Sequence, residues 1–196
     1  MRKLKLQMQI TVDGFVGGPN GENDWAFIAG KGDPEALQQS IGFGIELATG
    51  CDTLLLGGKL AASGFCTYWE DVTDNQPDNP WNPLARLITD HRKIAFGHSE
   101  TTISGRNVEV ENGDLATVVK SLKNQPGKDI LVYGGAGFVS SLIGLNLIDE
   151  YYLVVNPVTL GSGLSIFKER KVLELVSSTA FKSGKVVNKY LPVQES

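Results

Sequence analysis

Residues 129–143 read DILVYGGAGFVSSLI, and this stretch decides the fold of the chain. The apolar run at its start predicts a short buried strand, and the glycines after it predict a turn into a helix. The apolar residues of that helix recur at the spacing of one face: Phe138, Val139, Leu142 and Ile143. Three glycines in four residues leave main-chain N–H groups bare at the helix N-terminus, where phosphates bind. The stretch therefore predicts a nucleotide-binding protein.

The bulk composition excludes several classes of protein. A chain of 196 residues is long enough for one well-cored domain and short for two, so we expect a single domain over 1–196. Its 18 basic and 22 acidic residues give a net charge of −4 at pH 7, which argues against nucleic acid as a partner. The sequence contains no signal peptide and no membrane span, so we predict a cytoplasmic protein with no membrane partner.

The cysteines and histidines provide no metal site. Cys51 and Cys66 lack CxxC spacing, and the two histidines are His91 and His98. A zinc ion needs about four ligands, and the sequence has no cluster that supplies them. We expect two free thiols of a reduced protein and no metal.

The N-terminal residues predict the first strand of a sheet. Residues 3–12 alternate strictly between polar and apolar side chains, a pattern typical of a strand. The apolar face carries Leu4, Leu6, Met8, Ile10 and Val12. The opposite, polar face includes Gln7 and Gln9, and the sequence leaves open whether it borders a pocket or a partner subunit.

The remaining periodicity predicts an α/β fold. Asp33-Pro34 opens one helix and Asp114 caps another, while the polar, proline-rich segment Glu70–Pro83 is expected to be a surface loop. Further strands are expected at 52–56, 93–96, 151–155, 172–176 and 186–191. Because strands and helices alternate, most strand pairs should be parallel, and the final strands should form antiparallel hairpins.

Two glycine turns are candidates for holding a nucleotide. The first approaches the dinucleotide fingerprint G-x-G-x-x-G, with Ser140 at the third glycine. A Rossmann domain carries this fingerprint in its first strand–helix turn, whereas here it comes late, so we reject that fold. The second turn, Gly57-Gly58-Lys59, also joins a buried strand to a helix, and Lys59 adds a positive charge. Two such turns are suited to hold two parts of an extended dinucleotide.

Five motifs follow one another along the chain: DGFVGGPNG at 13–21, LLLG at 54–57, VYGGA at 132–136, LIDEY at 147–151 and NPVTLGSGLSIF at 156–167. Together they resemble the dihydrofolate reductase-like superfamily, in the branch of the C-terminal reductase domain of bifunctional riboflavin-biosynthesis deaminase-reductases. The resemblance covers nearly the whole chain. It implies a three-layer α/β fold with a central, mostly parallel sheet flanked by helices and an antiparallel C-terminal hairpin. It also implies NADPH as hydride donor, with NADH as the alternative, a small-molecule substrate and a homodimer.

The resemblance also implies where the cofactor and substrate lie. The first turn would hold the cofactor pyrophosphate: Gly134, Gly135, Ala136, Gly137, Phe138 and Val139. The second turn, Gly57, Gly58 and Lys59, would hold the adenosine-ribose phosphates. Gly14 and Trp25 would border the nicotinamide and the substrate. Relatives read Gly-Arg-x-Thr at the second turn, whereas this chain has Gly58 and Leu60, which lack the arginine grip and the hydroxyl.

A reductase of this kind needs an acid near the nicotinamide to protonate the reduced substrate. Asp13 is the first candidate, because a carboxylate at the carboxyl edge of a strand can point into the cleft. Asp24, before Trp25, is the second, and Glu46 on the first helix is the third. Each also fits an ordinary role: a turn residue, a cap or loop residue, and a solvated helix position respectively.

These observations predict a stand-alone NAD(P)H-dependent reductase of a small heterocycle or carbonyl compound. Its substrate could resemble 5-amino-6-(5-phosphoribosylamino)uracil or dihydrofolate, although no basic residue lies between Lys5 and Lys31 to bind a phosphate. The alternative is a degenerate, non-catalytic nucleotide-binding member of the family, which Gly58 and Leu60 favour. A purely structural dimer module would leave the glycine turns unexplained.

Overall fold

The computed structural model describes residues 1–97 and 103–193. Its strands are β1 (Leu4–Thr11), β2 (Cys51–Gly57), β3 (Arg92–Phe96), β4 (Val108–Glu111), β5 (Asp129–Tyr133), β6 (Glu150–Asn156), β7 (Leu173–Ala180) and β8 (Val186–Pro192). Its helices are α1 (Pro34–Thr49), α2 (Gly58–Ala62), α3 (Phe65–Asn75), α4 (Asn82–Asp90), α5 (Leu115–Asn124) and α6 (Ala136–Gly144), with a short 3-10 helix at Asp24–Phe27. His98, named in the search for metal ligands, lies outside the described residues.

The chain divides into two compact units, Met1–Leu4 with Ile41–Gly135, and Lys5–Ser40 with Ala136–Ser196. In the first unit, four parallel strands lie in the order β4-β3-β2-β5. The apolar runs of β2 and β5 are fully buried at Leu54–Leu56 and Ile130–Val132. Continuous burial of this kind is typical of strands covered on both faces.

In the second unit, β1 pairs with β6 in parallel, and β6, β8 and β7 follow in antiparallel order. The strands of the first unit are parallel and those of the second end in antiparallel C-terminal pairs, and the predicted fold class is confirmed in these features. The prediction of a single domain over 1–196 stays a prediction.

Both predicted helix caps are present. The Asp33 carboxylate accepts hydrogen bonds from the N–H groups of Glu35 and Ala36 at 2.9 and 3.2 Å, and α1 begins at the next residue, Pro34. The Asp114 carboxylate accepts from the Thr117 N–H at 2.9 Å, at the start of α5. These side chains satisfy N–H groups that have no acceptor within the helix.

The prediction of a surface loop over Glu70–Pro83 holds for residues 76–81 and was wrong at both ends of the segment. Helix α3 continues to Asn75, and α4 begins at Asn82. Asp71, Asp74 and Asn75 are exposed on α3, while Val72 is fully buried. The Asn82 side chain, 5% exposed, donates to Val72 O at 2.7 Å and so joins the two helices. Pro83 is compatible with the first turn of a helix, where its missing N–H would have no acceptor.

Two smaller predictions also differ from the structure. Val12 was placed on the apolar face of the first strand, but it is 62% exposed because β1 ends at Thr11. The edge strand β4 was not predicted, since the alternation of its four residues, VEVE, is too short a run to indicate a strand. Among the described residues, no helix is both long and apolar enough to cross a membrane.

Candidate active site

The first glycine turn presents an open main chain. Strand β5 ends at Tyr133 and α6 begins at Ala136, so the two glycines between them make the whole connection. A Cβ placed on Gly135 or Gly137 would meet no atom within 4 Å. Because the first N–H groups of a helix have no acceptor within it, this turn offers donors and space to an anion.

Ser140, at the third-glycine position of the fingerprint, has a role in packing. Its hydroxyl donates to Ile166 O at 2.9 Å and so ties α6 to the segment that precedes β7. Val139 on the same helix is fully buried. These contacts fix the helix whose N-terminus forms the open turn.

The second glycine turn, unlike the first, has no space for a side chain beside its main chain. Strand β2 ends at Gly57, and α2 begins at Gly58. A Cβ on Gly58 would lie 2.1 Å from Phe96 O and 3.0 Å from Gly97 Cα, closer than van der Waals contact allows. A side chain at residue 58 would therefore require the end of β3 or the start of α2 to shift. Lys59 is exposed and free to reach into solvent.

Asp13 ties the end of β1 to the turn that follows β6. One carboxylate oxygen accepts from the Thr11 hydroxyl at 2.6 Å, and the other accepts from the N–H groups of Leu160 and Gly161 at 2.9 and 2.7 Å. The Thr11 hydroxyl, and then the Gly161 N–H, hold the pKa of the Asp13 carboxyl below its usual value of 3.8. An acid with a lowered pKa is ionised at neutral pH, which favours an anchoring carboxylate over a proton donor.

Asp13→Asn should loosen this turn, because an amide cannot accept all three hydrogen bonds. We expect the Leu160 and Gly161 amide hydrogens to exchange with solvent roughly fivefold faster at pH 7, measured by NMR. Since the folded pKa is lowered, the stabilising contribution of Asp13 is complete above the ordinary pKa and is lost as the pH falls through the lowered one. The acid limb of the unfolding curve should therefore flatten in this variant. The control is Asp24→Asn; equal exchange in both variants would refute the anchoring role.

The other candidate residues lie in different surroundings. Asp24 begins the 3-10 helix, is exposed and, within the described residues, makes no side-chain hydrogen bond. Trp25 is 3% exposed, and its indole N–H donates to Glu22 O at 3.2 Å, so most of its surface is already packed. Gly14 has a φ of +87° in the turn after β1, with open space where a Cβ would lie. Glu46 is exposed on α1.

One polar pair was missed by the sequence analysis. The Asn156 side chain is fully buried at the end of β6, and its amide nitrogen donates to Gln9 Oε1 at 2.9 Å. Among the described residues, the Asn156 Oδ1 atom has no hydrogen-bond partner. The glutamines on the polar face of β1 were the available signal, but the partner strand was not known from the sequence.

Comparison with known proteins identifies the family. The model of the RibD C-terminal domain matches residues 2–187, so this chain belongs to the RibD C-terminal domain family. The uncharacterized protein YyaP of Bacillus subtilis (strain 168) is 32% identical over 188 residues, which are 94% of this chain and 92% of YyaP.

Two solved structures show the same fold. Acinetobacter baumannii RibD (form 2) matches with a TM-score of 0.70 at 16% identity, over 98% of this chain and 58% of that one. Dihydrofolate reductase from Enterococcus faecalis, complexed with NADP(H), matches with a TM-score of 0.60 at 14% identity, over 98% and 97% of the chains. The predicted superfamily, its branch and the dihydrofolate reductase-like fold class are confirmed.

Proposed function

We propose that this chain is a nicotinamide-dependent reductase of a small heterocyclic or carbonyl compound. Its family and its dihydrofolate reductase-like fold support an oxidoreductase. The observation that carries the proposal is the open main chain at Gly135 and Gly137, at the N-terminus of α6. When bound, the cofactor supplies the hydride, with NADPH as the first choice and NADH as the alternative.

The glycine turns make unequal contributions to binding. The turn Gly134–Val139 would hold the pyrophosphate through main-chain N–H groups and the positive end of the α6 dipole. At the second turn, Gly57–Lys59, the packing of Gly58 against Phe96 leaves the Lys59 ammonium and the main chain as the available donors. A single exposed lysine grips a phosphate less specifically than an arginine fork, so we expect little discrimination between NADPH and NADH.

Asp13 and Asp24 remain the proposed carboxylates of the site, with different roles. Asp13 is committed to three hydrogen bonds and would position the turn at Leu160 and Gly161 beside Gly14. Asp24 keeps uncommitted carboxylate oxygens within the described part of the chain and is the better placed to exchange a proton. Trp25, packed behind it, would shape the substrate side of the 3-10 helix rather than stack on the ligand.

Cofactor binding is tested with a charge placed on the open turn. Gly135→Asp puts a carboxylate where a phosphate would lie, and the open space and ordinary backbone conformation there allow the variant to fold. We expect its Kd for NADPH, from tryptophan fluorescence quenching, to rise at least about tenfold, because like charges meet at short range. The control is Gly144→Asp, which adds the same charge at the other end of α6, where a Cβ also meets no atom.

Four results decide the proposal. Tight binding by the parent and by Gly144→Asp but not by Gly135→Asp supports it, as does NADPH oxidation at 340 nm with a panel of pterins, quinazolines and diones. No quenching at millimolar NADPH or NADH argues for the degenerate, non-catalytic alternative, which the closed second turn favours. Equal affinity of both aspartate variants would mean that the first turn does not hold the cofactor.

The remaining predictions stay part of the proposal: a single domain, a cytoplasmic location, and a substrate of the riboflavin-pathway type. The predicted homodimer also stays part of the proposal, and the exposed edge of strand β7 offers a surface for pairing. Within the described residues β7 pairs with β8 alone, and it exposes 53% of Leu175 and 50% of Val176. An exposed strand edge with apolar side chains favours pairing with another chain.

A further inference from the structure

The chain contains two asparagine–glycine pairs, both in exposed segments. The first is Asn20-Gly21, in the loop after β1, and the second is Asn112-Gly113, between β4 and α5. Asparagine before glycine is prone to deamidation, because glycine has no side chain to shield its main-chain nitrogen from the asparagine side chain. The sequence makes the two pairs equivalent, whereas their surroundings in the structure differ.

The pair Asn20-Gly21 is restrained by hydrogen bonds on both reacting groups. The Asn20 side-chain amide donates to Glu22 Oε1 at 2.8 Å, and the Asn20 main-chain N–H donates to Glu22 Oε2 at 3.1 Å. The Gly21 nitrogen, which would have to attack the side chain, donates its hydrogen to Gly18 O at 2.9 Å. Deamidation at this pair therefore requires these hydrogen bonds to open first, which lowers the population that can react.

The pair Asn112-Gly113 has none of these restraints. In the part of the chain that the structure describes, neither the Asn112 side chain nor the Gly113 N–H makes a hydrogen bond. The neighbouring residues on either side are fixed: Glu111 O accepts from the Gly97 N–H at 3.1 Å, and Asp114 caps α5. Asn112 and Gly113 therefore form a short free connection between two anchored residues, in an exposed position where chemical change is tolerated.

We propose that Asn112 is a site of spontaneous deamidation, a covalent modification that needs no enzyme and consumes one water molecule. The Gly113 nitrogen attacks Asn112 Cγ and forms a new C–N bond, while the bond from Cγ to Nδ2 breaks. Ammonia leaves and carries away the hydrogen of the Gly113 N–H. Water then opens the cyclic imide at one of its two carbonyls, and the product is aspartate or, when the main-chain carbonyl is attacked, isoaspartate. Nothing is oxidised or reduced.

The modification changes the chain where it enters α5. The new carboxylate lies between Glu111 and Asp114, which are both acidic. The Asp114 carboxylate accepts from the Thr117 N–H at 2.9 Å and from the Thr117 hydroxyl at 2.6 Å, and these contacts form the N-cap of the helix. Isoaspartate also adds one carbon to the main chain just before this cap, so both the charge and the path of the chain change there.

The test follows both pairs in one sample of the folded protein. After incubation at neutral and mildly alkaline pH, tryptic peptides are separated and their masses show which asparagine has been converted. We expect Asn112 to deamidate at least about tenfold faster than Asn20, because hydrogen bonds restrain the second pair alone. The rate should rise with pH, since the attacking nitrogen must lose its proton. Gly113→Ala should slow the reaction at Asn112, because its methyl group shields that nitrogen.

A second variant tests whether the hydrogen bonds are the cause. Glu22→Ala removes the acceptor of the Asn20 side chain, so Asn20 should deamidate faster while the rate at Asn112 stays unchanged. The matched control is Glu174→Ala, which removes the same charge at an exposed position of β7 and should change neither rate. In denaturant the two pairs should react at similar rates, since the structure no longer distinguishes them.

The outcomes are independent of cofactor binding and of any reductase activity. Faster conversion of Asn112 in the folded parent, with a difference that narrows in Glu22→Ala but not in Glu174→Ala, supports the proposal. Equal rates at the two pairs, or a faster reaction at Asn20, overturn it. A difference that persists in denaturant also overturns it, because the neighbouring residues in the sequence would then be the cause. Should Glu22→Ala unfold, the comparison of the two pairs in the folded and the denatured parent still decides.

Discussion

Lys93→Met should lower the free energy of unfolding by about 2–5 kcal/mol, because it removes the donor shared by three main-chain carbonyl groups. Lys93 is fully buried at the start of β3. Its ammonium donates to Thr89 O at 2.7 Å, His91 O at 2.9 Å and Arg106 O at 3.0 Å. Three acceptors match the three hydrogens of a charged amine, even though burial lowers the pKa of Lys93. The ammonium thereby joins the end of α4 to the loop before β4.

The measurement is chemical unfolding at pH 7, followed by circular dichroism. Methionine keeps a similar length and an apolar stem, so the loss reports the unsatisfied carbonyls more than an empty cavity. The matched control is Lys120→Met on the exposed face of α5, which should change stability by less than about 0.5 kcal/mol. If Lys93→Met were as stable as the control, water would have to satisfy the three carbonyls, and the ammonium would not be a structural link.

Lys93 also shows where prediction from the sequence ends. A strand was predicted at 93–96, and the structure has one at Arg92–Phe96. Nothing in the sequence indicated that the Lys93 ammonium would be buried. Its acceptors lie at the end of α4 and at Arg106, and neither α4 nor the segment before β4 was predicted. A charged group is buried only where several hydrogen-bond acceptors surround it, and the tertiary structure decides where acceptors from different segments meet.

The same distinction holds for the candidate site. The turn at Gly134–Gly137 was predicted, because a buried strand, glycines and an amphipathic helix are all signals carried by neighbouring residues. The partners of Asp13 at Leu160 and Gly161, and the pairing of Gln9 with Asn156, join residues far apart along the chain. Only the register of β1 against β6 brings these groups together. The sequence shows which side chains can form hydrogen bonds, but it does not show which distant groups they meet in the folded chain.

Gly58→Ala should lower the free energy of unfolding by about 1–3 kcal/mol, through steric overlap alone. The new Cβ would lie 2.1 Å from Phe96 O, a main-chain atom held in the pairing of β3 with β2, so relief requires the strand end or α2 to move. The backbone of Gly58 does not adopt a positive φ, so the substitution carries no conformational strain of its own. Gly42→Ala is the matched control: within α1, with no atom near its Cβ, it should raise stability by roughly 0.5–1 kcal/mol.

Opposite signs for the same chemical change would establish that packing against β3 selects glycine at residue 58. Gly58→Arg, which restores the residue of the relatives, should then be destabilising as well and should not tighten NADPH binding, because Phe96 O occupies the start of the side chain's path. A stable Gly58→Arg with a lower Kd for NADPH would contradict this account, since the closed turn would then open at little cost. Glycine replaces the arginine of Gly-Arg-x-Thr because Phe96 O, at the end of β3, lies against residue 58. The cofactor affinity must then come from the open turn at the N-terminus of α6.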